Sequence, residues 1–96
     1  MIGIVATLKV QDGKQTEFEA VFLELTAKVR ANEPGNILYQ LTKSRADTAT
    51  YKVIELYKDQ DAVTAHGASD YFRDLGRKMG AFLAGRPDIE HLDAIE

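Results

Sequence analysis

In the stretch DAVTAHGASDYF, residues 61–72, a single histidine sits at the centre of a short helical segment. An imidazole is the one side chain whose unperturbed pKa, about 6.5, lets it both accept and release a proton near neutrality. His66 could therefore be the polar centre of a small-molecule pocket. It could equally be a buried structural residue, a cap beside Gly67, or a surface residue. The chemistries that need a group of residues are poorly served. The chain has no cysteine, so thiolate metal sites and thiol catalysis are excluded. His66, His91 and the scattered acids fall into no usual metal-ligand spacing, so no metal is expected. No G-x-S-x-G elbow or phosphate-binding glycine loop is present, and His91 has no partner recognisable in the sequence.

The elements that must position His66 follow from the periodicity. IGIVATLKV alternates Ile2, Ile4, Ala6, Leu8 and Val10 against Val5, Thr7 and Lys9, which predicts a strand with one strongly apolar face. Asp12 and Gln15 have capping-box spacing before a helix that should reach about Arg30. Phe18, Val21, Phe22, Leu25 and Val29 form its apolar stripe. NEPG ends it, because Pro34 restricts Glu33 and Gly35 permits a turn. A second strand, NILYQLTK, sets Ile37, Tyr39 and Leu41 on one face. The third, TYKVIELYK, sets Tyr51, Val53, Glu55 and Tyr57 on one face and Ile54 and Leu56 on the other. Asp59 or Asp61 can cap a short helix that breaks at Gly67. Ser69 can cap another carrying Tyr71, Phe72, Leu75, Met79, Phe82 and Leu83, with Gly85 and Pro87 as the stop. DIEHLDAI reads as a final strand.

Two strand–helix–strand halves in succession suit an α+β, ferredoxin-like antiparallel sheet with helices on one face, formed by one domain over residues 2–95. The strands are apolar on both faces, yet the helices can cover only one. A second copy of the sheet is the simplest cover, so a homodimer is expected. Ninety-six residues, 45% hydrophobic and 28% charged, describe an ordinary globular chain. A net charge of −3 with dispersed lysines and arginines argues against nucleic acid as a partner. No apolar run nears the roughly 20 residues needed to span a bilayer, so no membrane partner is expected and the cytoplasm is the default location.

IELYKDQDAVTAHGASDYF as a whole resembles the antibiotic biosynthesis monooxygenase family, through Glu55, Tyr57, Asp59, Ala62, His66, Ser69 and Phe72. EPGNILYQL, residues 33–41, is similar to the family's turn into its second strand, and the resemblance runs over about residues 2–95. It implies a dimeric α+β barrel with a pocket between sheet and helices, where some members oxidise phenols or quinols with O2 and no metal or flavin. On that pattern His66 is the catalytic residue, Tyr39, Tyr57 and Phe72 hold a planar ring, Glu55 orients a donor or the imidazole, and Arg77 counters an oxyanion. No cofactor is expected. Val53 stands where such oxygenases often carry asparagine, and Tyr57 where they often carry tryptophan. Ala6 or Thr7 and Gly76 stand where the haem-degrading branch has its asparagine and axial histidine, which points away from haem. The alternatives are a small-molecule-binding protein without turnover, or one acting in stress response or regulation, and an isomerase of a small hydroxyketone or phosphorylated sugar.

Overall fold

The structure, a computed structural model, describes residues 1–96. Its elements are β1 (Ile2–Lys9), α1 (Gln15–Asn32), β2 (Asn36–Lys43), β3 (Thr50–Tyr57), α2 (Gln60–Gly67), α3 (Asp70–Gly80) and β4 (Asp88–Asp93). The four strands form one antiparallel sheet in the order β2-β3-β1-β4, with the three helices on one side, which is the ferredoxin-like arrangement the sequence implied. No helix is long and apolar enough to cross a membrane.

Alternation decides which face the helices cover. Ile4, Ala6 and Leu8 of β1 and Tyr51, Val53, Glu55 and Tyr57 of β3 are all buried beneath them. Against this floor α1 lays Phe18, Phe22, Leu25 and Val29, none more than 2% exposed, at the three- and four-residue spacing of one helical face. Phe22 stacks on Tyr39 at 5.7 Å between ring centroids, and Phe18 meets Tyr51 at 4.8 Å. Leu75 and Met79 of α3 complete the core.

Two helix starts are capped as the sequence proposes. Asp59 accepts a hydrogen bond from the Ala62 N–H, and the Ser69 side chain accepts one from the Phe72 N–H. The capping box at Asp12 and Gln15 does not form. Gly13 takes a positive φ of 81°, the chain turns there, and Lys14 becomes an N-cap without a side-chain bond. A register shift between Asn36 and Leu38 bulges β2, so Ile37 leaves the Tyr39–Leu41 face and is 54% exposed. Phe82 and Leu83 lie beyond α3 rather than within it. Leu83 bridges Val10, and the Ala84 N–H donates to the Lys9 carbonyl, tying the approach to β4 onto the end of β1.

On the opposite sheet face Leu38, Leu56, Gly3 and Leu92 lie in one row, with Ile54 and Val5 paired in the next. Leu38, Ile54 and Leu92 are between 37% and 43% exposed.

Candidate functional site

Strand register builds the floor of the site. Tyr39 pairs with Glu55, Glu55 with Ile4, and Ile4 with His91, so these four residues form a row across the sheet on the helix side. The next row is Leu41, Val53, Ala6 and Ile89. Helices α2 and α3 roof this floor only in part, and every residue of β4 is exposed. Between floor and roof lies a cavity of about 310 Å³. Its walls are mostly apolar, and its titratable side chains are Tyr39, Glu55, His66 and His91. No lysine or arginine lines it.

His66 hangs from the last turn of α2 and is 6% exposed. Its ring packs 4.6 Å from Phe72, 5.4 Å from Tyr39 and 5.6 Å from Tyr57, centroid to centroid. Nδ1 lies 3.0 and 3.1 Å from the two carboxylate oxygens of Glu33, whose side chain is equally buried. The Tyr71 hydroxyl donates to the same carboxylate. A carboxylate only accepts, so Nδ1 carries the hydrogen, and Nε2 is left with no hydrogen-bond partner in the chain. Gly67 follows, and a Cβ there would touch nothing within 4 Å, so the space beside the imidazole is open.

Glu55 accepts a 2.7 Å hydrogen bond from the Tyr57 hydroxyl. Burial raises the Glu55 carboxyl above the usual carboxylate range, against the opposing effect of that bond and of the nearby imidazoles. Burial also raises the Tyr39 phenol, reinforced by the Glu55 and Glu33 charges, and its hydroxyl makes no hydrogen bond within the chain. The Tyr71 phenol is pushed up to about 12 by burial and by its bond to Glu33.

The structure brings His66, Tyr39, Glu55 and Phe72 together on the cavity. Tyr57 lies beneath them, fully buried and off the cavity wall, with its hydroxyl turned to Glu55. Arg77 is exposed and off the wall. The cavity side of α3 is Phe72, Gly76 and Met79, and one residue beyond Gly76 rotates about 100° around the helix, toward solvent. Val53 and Ala6 put apolar surface on the floor.

Sequence reading missed Glu33 and His91. Glu33 had one signal. A carboxylate at a helix C-terminus opposes the helix dipole, so it calls for a nearby cation or strong donor. His91 had none, because its face depends on the register of β4 against β1.

The family model described as "Antibiotic biosynthesis monooxygenase" matches residues 1–78. A crystal structure from Caulobacter crescentus CB15, described as a "putative antibiotic biosynthesis monooxygenase", is 58% identical. It superposes with a TM-score of 0.97 over 99% of this chain and 90% of that one. The protein named "Putative monooxygenase YcnE" of Bacillus subtilis (strain 168) is 28% identical over all of both chains. A mutant of SnoaB, a cofactor-independent oxygenase from Streptomyces nogalater, is 25% identical. Its TM-score is 0.84, covering 99% of this chain and 93% of that one.

Proposed function

The chain belongs to the antibiotic biosynthesis monooxygenase family, and on that premise we propose that it oxidises a small phenolic or quinol-like aromatic with O2, using no metal or flavin. One observation carries the reading. His66 stands in a small, largely apolar cavity with Nδ1 held by a buried carboxylate and Nε2 free. That is the tautomer of a base.

A phenol entering the cavity loses its proton to Nε2, and the resulting phenolate is electron-rich enough to reduce O2 itself. The protein then has to supply burial, orientation and proton transfer. Phe72 and Tyr39 flank the imidazole and hold the ring. The free Tyr39 hydroxyl donates to a ligand oxygen, the Glu55 carboxyl accepts from a ligand hydroxyl, and Tyr57 acts only by orienting Glu55. With Val53 in place of an amide, these two groups and the His66 imidazole must recognise the oxygens. Phosphorylated sugars fit poorly, because no lysine or arginine reaches the cavity. Its volume, at the lower end of the roughly 300–1,000 Å³ of ligand pockets, suits a small aromatic. The partner in the assembly is a second copy of the chain, seated on the outer sheet face of Leu38, Ile54, Leu56 and Leu92.

Oxygen uptake by metal-stripped protein, against a panel of hydroquinones and naphthols, tests the reading. Wild type should consume O2, and His66→Ala should lose roughly 10²–10⁴ of the rate while remaining folded. A loss below tenfold would remove His66 from the chemistry. Thermal stabilisation by the same compounds without oxygen uptake would make the protein a binder rather than an enzyme.

A further inference from the structure

The cavity holds a second imidazole, which the base role of His66 leaves unused. His91 stands on β4, in the floor row that also carries Glu55 and Tyr39. His66 roofs the other end, over Tyr39 of β2 and Tyr57 of β3. β3 and β4 are two strand spacings apart, about 10 Å, so the imidazoles face the cavity from opposite sides. Their settings differ. His66 is buried and tied through Nδ1, whereas His91 is exposed on an edge strand, with no hydrogen bond or ion pair in the chain. His91 can therefore exchange protons with water directly.

We propose that His91 is a second catalytic residue, the acid that protonates the oxygen leaving as water. The assignment rests on the oxygenase reading above. Take a phenol with hydrogen on its para carbon. His66 removes the hydroxyl proton, the phenolate passes one electron to O2, and the radical pair forms a C–O bond. Protonation by the His66 imidazolium gives a para hydroperoxide. In its collapse, a base takes the remaining proton on that carbon and the C–H electrons become the new C=O bond. The O–O bond breaks, its electrons leave with the outer oxygen, and that hydroxide takes a proton to become water. The sum is phenol plus O2 giving quinone plus water. The last step needs a base and an acid at once. A single imidazole would have to be both, whereas this cavity offers one from each side. Neutral His66 accepts the carbon proton, and protonated His91 delivers one to the departing oxygen and is recharged from solvent.

Single-turnover kinetics with a naphthol unsubstituted at the para carbon test this. In wild type, quinone should form as fast as naphthol and O2 disappear. In His91→Gln, naphthol and O2 loss should keep the wild-type rate while quinone formation lags tenfold or more. A hydroperoxide that oxidises iodide on quenching should accumulate. Added imidazole should restore quinone formation to His91→Ala through the open β4 side. The assignment is overturned if quinone keeps pace with naphthol in His91→Gln, or if all steps slow together. No oxygen uptake by wild type would instead overturn the oxygenase reading, and this assignment with it.

Discussion

Replacing Glu33 by glutamine removes one charge at the end of α1 and almost no volume. In the native chain both carboxylate oxygens sit within 3.1 Å of His66 Nδ1, and each side chain is 8% exposed. Solvent screening is therefore weak, and the bond belongs to the charge-assisted class, worth about 1.5–3 kcal/mol. The imidazolium formed when Nε2 takes a proton gains most from that carboxylate, so the loss falls mainly on the proton-transfer step. At about 1.4 kcal/mol per tenfold, Glu33→Gln should slow turnover by roughly 10- to 150-fold. Substrate affinity should change little, because Glu33 does not line the cavity. An amide can also donate, so Nδ1 loses its obligation to carry the hydrogen. Nitrogen-15 chemical shifts of His66 should then move from a single Nδ1–H tautomer toward a mixture, a readout that needs no substrate. Unchanged shifts together with kcat within threefold of wild type would refute the claim that Glu33 sets the state of the base.

Three further outcomes follow from the geometry. A Cβ on Gly35 would stand 2.6 Å from the Ala62 Cβ, so Gly35→Ala must push α2 away from the turn that carries Glu33. Overpacking of this kind costs about 1–3 kcal/mol and should lower Tm by roughly 5–20 °C, which calorimetry would show; an unchanged Tm would contradict the close packing. Leu92→Arg puts a charge opposite Gly3 on the apolar outer face, so light scattering at micromolar concentration should report a wild-type dimer and a monomeric variant. A monomeric wild type would remove the second copy. Glu55 holds its proton more tightly folded than unfolded, because burial raises its pKa above the ordinary 4.5. Its contribution to stability is thus full below about pH 4.5 and is lost as pH rises through the raised value. Glu55→Gln does not titrate, so the difference in Tm between variant and wild type should shift in the variant's favour across that window. A constant difference would mean that the carboxyl is not perturbed.

What the sequence determined by itself was local in origin. The alternation of β1 and β3, the stripe of α1 and the caps at Asp59 and Ser69 are each set within a few residues, by side-chain direction and by orphaned backbone groups. The order of these elements was enough to imply the sheet, and the face shared by Glu55 and Tyr57 followed from a period of two. His66 stood out because an imidazole is chemically rare in this chain. Tertiary structure decided the rest. Glu33 and His66 are 33 residues apart and meet only because the turn after α1 packs on α2. His91 joins the cavity through the β1–β4 register, Arg77 leaves it through the rotation of α3, and Ile37 leaves its face through a bulge. Each depends on how separate elements cross. Crossing is settled by the shape of the packed core, which no short window of sequence contains.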